Sequence, residues 1–324
     1  MAPMTDDVHH LGGPARGGLV LAVTSAASFG LSGALASGLL ATGWTPGAIV
    51  LVRVGLAAVV VAPFAAASLR GRWHALRAGL PSVLVYGVLA VAGGQFCYFS
   101  AVAVMDVGPA LLIEYTAPAA VVVWLWLRHG RRPHRLTLVG AALAAAGLVL
   151  VLDLLSGADL APAGVAWALA AMVGATSYFL ISADTSSGLP PLALAGCGLV
   201  VGAAVLGVLA VVGVLPMSAS TQAPSYAGDT VPWWASLLAL GLVTAALAYT
   251  TGVAATRRLG SQVASFVALL EVVAGVGFAW LLLDQLPDGL QLVGGLLVVA
   301  GVVVVKLSSG RAVTAAPALT AGGR

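Results

Sequence analysis

Three charged side chains stand inside otherwise apolar runs: Arg53, Glu114 and Glu271. A charge at the bilayer centre costs about 2.5–3.5 kcal/mol on insertion scales, so an intramembrane charge marks a functional site by default. The chemistry open to these groups is ion pairing and proton transfer. A carboxyl removed from water can hold a proton near neutral pH, as a proton-coupled carrier requires. Arg53 and Glu114 fall at similar depth, so an Arg53–Glu114 pair is expected. The blander readings are snorkelling of Arg53 to the headgroups and a purely structural salt bridge. Glu114 shares a helical face with Ala110, Ala117, Pro118 and Val121, and Pro118 removes the hydrogen bond to the Glu114 carbonyl. Glu271 has Ala264, Ala268 and Gly275 on its face. Small neighbours leave room for a cavity; the alternative for either glutamate is a protonated side chain bonded to the next helix. Gln95, Tyr98, Tyr115, Ser177, Tyr178, Tyr249, Gln262 and Ser265 could line a path, with Gln95 and Tyr98 the best-placed pair. Each is more often an interhelical hydrogen bond.

Other chemistries find no support. Gly30-Leu31-Ser32-Gly33 matches the G-x-S-G of an intramembrane serine protease, but that serine needs a base within reach. His9, His10, His74, His129 and His134 all fall in the N-terminal tail or in connecting loops, and the one lysine is Lys306. No aspartate lies inside a firm apolar run, so an aspartyl dyad is unsupported. A phosphate-binding P-loop is absent. Cys97 and Cys197 sit in apolar segments, too few for a disulfide framework or a structural zinc site. The sequence gives no sign of an enzyme, a cofactor or a metal centre.

The elements that must position these residues are membrane helices. Of 324 residues, 60% are hydrophobic and 8% charged, against about 25% charged in a soluble domain. That composition excludes a soluble globular fold and equally excludes disorder. Runs long enough to span fall at 17–40, 47–68, 80–102, 108–127, 136–152, 163–183, 191–214, 233–253, 261–283 and 288–306. The fifth and sixth are the weakest, and the connection at 215–232 is the longest and most polar. The expectation is an all-α integral membrane protein of ten transmembrane helices. The basic residues all fall on one side of such a chain: Arg16; Arg70, Arg72 and Arg77; Arg128, Arg131, Arg132 and Arg135; Arg257 and Arg258; then Lys306, Arg311 and Arg324. The opposite loops hold Asp106, Asp153, Asp159, Asp229, Asp284 and Asp288. The positive-inside rule then places both termini in the cytoplasm, and the scattered basic residues make no nucleic-acid surface. The first run is too long for a signal peptide. Residues 1–15 and 308–324 read as mobile tails, and Trp44, Trp73, Trp233 and Trp234 as interfacial anchors.

An internal repeat is visible. Leu138-Val139-Gly140 and Ala146-Gly147 recur 154 residues later as Leu292-Val293-Gly294 and Ala300-Gly301; Gly87 matches Gly241, and Trp126-Leu127 matches Trp280-Leu281, at the same offset. A unit of five spans is odd, so the second copy enters the membrane from the other side. Such two inverted five-helix repeats are typical of secondary transporters. The organisation expected is a tail at 1–16, a first repeat at 17–152, a second at 163–306 and a tail at 307–324.

The run Ile49-Val50-Leu51-Val52-Arg53, the segment Leu112-Ile113-Glu114-Tyr115-Thr116-Ala117-Pro118 and Leu269-Leu270-Glu271 resemble the drug/metabolite transporter superfamily, EamA type. Within it they look most like the threonine/homoserine exporter branch. The chain departs from that branch in Val272, where the branch has proline, in Asp284, where it has glutamate, and in the longer basic loop at Arg128–Arg135. The resemblance implies an inner-membrane exporter of amino acids or similar metabolites driven by protons, working as monomer or homodimer without a cofactor. Arg53 would meet a substrate carboxylate, Glu114 an ammonium group or a proton, and Glu271 a proton, with Gln95, Tyr98 and Tyr115 beside them. An uncoupled facilitator, a drug exporter of the same fold and a non-transporting membrane scaffold are the alternatives.

Overall fold

The computed structural model describes residues 13–102, 104, 107–130, 133–152 and 161–314. Asp106, Asp153, Asp159, Arg131, Arg132, residues 1–12 and residues 315–324 lie outside the described residues, while 307–314 of the expected C-terminal tail continue α13 as helix. The first repeat comprises α1 (Gly13–Ala41), α2 (Pro46–Ser68), α3 (Trp73–Val85), a π segment (Tyr86–Gly93), α4 (Gly94–Val102), α5 (Val107–Glu114), α6 (Ala117–His129) and α7 (Arg135–Val151). The second comprises α8 (Pro162–Ala183), α9 (Pro191–Val211), β1 (Ser225–Tyr226), β2 (Asp229–Thr230), α10 (Trp233–Gly241), a second π segment (Leu242–Leu247), α11 (Ala248–Ala268), α12 (Leu270–Leu283) and α13 (Gly289–Thr314).

Among the described residues, eight helical stretches are long and apolar enough to cross a membrane, and Arg135–Val151 and Leu270–Leu283 are shorter apolar helices. One of the eight, Trp233–Ala268, runs for 36 residues. It cannot be a straight rod, because Gly260 adopts φ 78°, ψ 161° inside it, a conformation open in practice to glycine alone. The chain reverses there directly after Arg257 and Arg258, and ten apolar passes result. Prolines open four of the helices, α2, α8, α9 and α10, at or just before the first position, where a missing N–H costs nothing. Thr45 caps α2, its Oγ1 accepting from the Ala48 N–H at 3.4 Å.

The repeat is visible in backbone detail. Both third passes loosen into a π segment, Tyr86–Gly93 and Leu242–Leu247, at nearly the same repeat position. Both fourth passes are broken, between Glu114 and Ala117 in one and at Leu269 in the other. Gly130 ends α6 in the left-handed region at φ 67°, and 154 residues on Asp284 ends α12 at φ 54°. The paired glycines meet across α7 and α13. A Cβ on Gly140 would lie 2.7 Å from the Gly301 carbonyl, and one on Gly147 would lie 2.6 Å from the Gly294 carbonyl. Numbers rise along one helix as they fall along the other, so equivalent helices run antiparallel, as inverted repeats require. Small residues bring backbones into direct contact where no hydrophobic effect acts between helices.

The main core lies between α2, α8, α9, α11 and the first π segment, with Val54, Tyr86, Leu194, Leu199 and Val253 almost fully buried. The connection at 215–232 is an ordered cap. Tyr226 and Asp229 pair across a hairpin whose turn places Ala227 at φ 47° and Gly228 at φ 85°. Tyr226 Oη donates to the Leu35 carbonyl at 2.9 Å. The expected role of Trp44 as an interfacial anchor does not hold. It is 7% exposed, stacks on Trp233 at 6.1 Å and donates Nε1–H to the Ser220 carbonyl at 2.8 Å; fastening the cap keeps it out of the bilayer surface. Trp73 and Trp234 are half exposed.

Candidate functional site

A cavity of about 640 Å³ lies between the repeats. Arg53, Gln95, Tyr98, Glu114, Tyr115 and Glu271 all line it, although they come from α2, α4, α5, the break after it, and α12. Tyr178, Tyr249 and Ser265 line it too. Its far rim is formed by Ser37, Leu40 and Gln285, which are exposed. Its floor is formed by Ala22, Ser25, Ala255 and Thr256, which are buried. The cavity therefore opens toward the loops that hold the aspartates and is closed toward the arginine-bearing face. On that closed side Arg257 donates Nε–H to the Ser182 carbonyl at 2.6 Å and Nη1–H to the Leu189 carbonyl at 2.9 Å, joining α11 to the α8–α9 turn.

Each charged residue is held by a local device. Arg53 is 5% exposed, which excludes snorkelling. Its Nη1 donates to Gln95 Oε1 at 3.1 Å and its Nη2 to the Thr244 carbonyl, in the second π segment, at 2.6 Å. The guanidinium also stands over the Phe29 ring at 5.8 Å, within cation–π range. Its Nε is buried and has no hydrogen-bond partner among the described residues. Glu114 is the last residue of α5, where the helix breaks before Pro118. Glu271 stands in the first turn of α12, and the Tyr115 hydroxyl approaches its carboxyl. The backbone of α1 packs straight onto this turn: a Cβ on Gly30 would lie 2.7 Å from the Glu271 carbonyl.

The expected Arg53–Glu114 ion pair is not formed. Among the described residues no carboxylate comes within 4.0 Å of the guanidinium, and the carboxyl whose field acts on Arg53 is that of Glu271. Equal depth fixes a height along each helix and leaves its rotation free; Arg53 is turned toward the π segment and α4. Two path candidates also fall away from the cavity. Ser177 donates to the Val173 carbonyl at 2.8 Å, and Gln262 donates to Thr137 Oγ1 at 3.3 Å; both are hydrogen bonds of the helix frame. Phe29 and Thr244 were missed by sequence reasoning, since an aromatic ring and a backbone carbonyl carry no signal of their own in an apolar run.

The sequence model of the EamA-like transporter family matches residues 16–153 and again residues 162–307. The chain belongs to the EamA-like transporter family. Two tandem matches coincide with the two halves seen in the backbone. A crystal structure described only as that of a protein superposes with a TM-score of 0.74 at 22% identity, covering 92% of this chain and 99% of the other. That likeness speaks for the fold alone. No curated protein sequence matches this member of the EamA-like family significantly.

Proposed function

We propose that this EamA-like protein is a secondary exporter that couples proton entry to efflux of amino acids or similar small zwitterions across the cell membrane. The observation that supports this reading is the wall of the cavity, where one guanidinium and two carboxyls converge from separate helices at a broken-helix site. Broken helices at the repeat interface are where secondary transporters bind substrate. A zwitterion fits the arrangement. Its carboxylate meets Arg53, whose Nε has no hydrogen-bond partner among the described residues, and its ammonium group meets a glutamate. The two carboxyls are unequal by position. Glu271 stands at the positive end of the α12 dipole and Glu114 at the negative end of that of α5. Glu114 is thus the proton carrier and Glu271 the group that balances Arg53. With the arginine-bearing face in the cytoplasm and both termini on that side, the cavity is open to the outside. Gln95 positions Arg53, while Tyr98 and Tyr115 flank the substrate.

The test is flux through proteoliposomes, with labelled threonine, homoserine and a panel of other amino acids, with and without an acid-outside gradient. Gradient-driven efflux that Glu114→Gln loses, while remaining folded, is the expected result. Efflux indifferent to the gradient would make the protein a facilitator, and movement of none of the panel would remove amino acids as the cargo.

A further inference from the structure

We propose that Tyr98 is the outer gate of the path: when the cavity closes toward the aspartate-bearing face, α4 moves onto α1 and the Tyr98 ring seats against Ser32 and Gly33. The inference rests on the exporter reading above and names the contact on which its second arrangement depends. Inverted repeats share one fold in two orientations, so each half can take up the conformation of the other, and the open and closed faces then trade places. The contact that shuts one face here has a counterpart, made by the equivalent residues, that shuts the other. The closed face is shut where α8 packs along α11. Tyr178 of α8 is buried, and its hydroxyl stands so close over Gly252 of α11 that any Cβ there would collide with it. Its ring also meets that of Tyr249 edge-on at 5.9 Å. The equivalent helices of the first repeat, α1 and α4, barely touch, and the cavity opens on their side.

Two offsets identify the counterparts. α4 starts at Gly94 and α11 at Ala248, the spacing of 154 already seen between the repeats, so Gly252 corresponds to Tyr98. In the first pass the spacing is 146: the family matches start at residues 16 and 162, and Ala168 packs with Ala101 as Ala22 clusters with Ala255. Tyr178 then corresponds to Ser32, with Gly33 next to it. The pair is inverted in size. On the closed side a tyrosine of α8 covers a glycine of α11; on the open side a serine of α1 faces a tyrosine of α4. Each crossing holds one ring and one small residue, which lets the helices close without a void or a clash. Ser32, Gly33 and Tyr98 all line the open cavity. A Cβ on Gly33 would meet nothing within 4 Å, so a ring has room to enter there. Gln95, one turn inward of Tyr98 on α4, holds Arg53. A ring closing at Tyr98 therefore shuts the path on the outer side of the substrate site.

Cys97 and Cys197 are the only cysteines of the chain, so a full-length background with Cys97→Ala and Cys197→Ala carries no other thiol. Into it go Ser32→Cys, Tyr98→Cys and Ser182→Cys. Ser182 is 0% exposed, but its counterpart Ala36 lines the open cavity, so position 182 should line the cavity that opens on the other side. In liposomes, oxidation is expected to join positions 32 and 98 and to raise maleimide modification of the thiol at 182 at least fivefold; prior reduction is expected to abolish the rise. A disulfide that leaves position 182 unreactive overturns the gate, and so does the absence of a disulfide in a monodisperse protein. Should that chain not fold, spin labels at Leu40→Cys and Val104→Cys, exposed at the outer end of α1 and just beyond α4, decide the matter. A second, shorter distance population supports closure; a single population with and without an acid-outside gradient overturns it. Neither readout needs a substrate. A parent that closes this gate but moves no labelled amino acid therefore brings down the exporter reading alone.

Discussion

At the scale of single residues, the charged groups were legible because their types are expensive in a bilayer. Arg53, Glu114 and Glu271 needed only that argument, and all three line the cavity. What each one touches was not legible, because hydrophobicity is indifferent to a rotation of the helix. Arg53 shows the difference: its partners are an amide and a backbone carbonyl rather than the carboxylate at its own depth. Arg53→Gln should break both arms of the fork, to Gln95 and to the Thr244 carbonyl, costing about 1–3 kcal/mol. Arg53→Lys should recover only part of this, since a single ammonium cannot reproduce the two-armed fork. Thermal unfolding in detergent measures both, and a lysine variant as stable as the parent would contradict the geometry. Asp284 gives a second case. Its φ of 54° is a conformation in which the first repeat uses glycine. Asp284→Gly should therefore raise stability by up to about 1 kcal/mol, and a lowered unfolding temperature would show that the aspartate side chain is needed there.

At the scale of elements, the spacing of apolar runs predicted the passes but not how they are interrupted. Glu114 and Pro118 pointed to the break between α5 and α6. Nothing in Leu269 announced the break before α12, and neither π segment has a sequence signature; both emerge from packing. The crossing of α7 and α13 is where substitution should be least tolerated. Gly147→Leu puts a side chain where the Gly294 carbonyl lies 2.6 Å from the Cβ position, and should abolish a monodisperse peak in size-exclusion chromatography. Gly207→Leu, where a Cβ would meet nothing within 4 Å, should elute like the parent. The hairpin cap predicts a pH dependence. Burial holds the Tyr226 phenol above its ordinary value of 10.0, partly opposed by its bond to Ser236. The folded cap keeps the proton more tightly than the unfolded chain does, so its contribution is complete below pH 10 and fades as pH rises through the higher folded value. Proteolysis at residues 215–232 should accelerate above pH 10 in the parent. Tyr226→Phe, which loses the bonds to Leu35 and Ser236, should be cut faster at neutral pH and show no such rise.

At the scale of the whole molecule, the repeat was legible from a handful of glycines and tryptophans at one offset, and the fold followed from the odd number of passes in each half. The same handful has a mechanical consequence. Exchanging the two repeats carries Gly140 onto Gly294 and Gly147 onto Gly301, so the contacts of Gly140 with Gly301 and of Gly147 with Gly294 are carried onto each other. The α7–α13 crossing is thus its own mirror under the operation that turns a cavity open on one side into a cavity open on the other. A part that looks the same in both arrangements has no reason to move between them. Backbone hydrogen exchange in α7 and α13 should stay constant when the cavity changes sides, while that of α1 and α12, which share the asymmetric contact at Gly30, should change. On the exporter reading proposed above, the crossing is the bearing on which the rest of the protein turns.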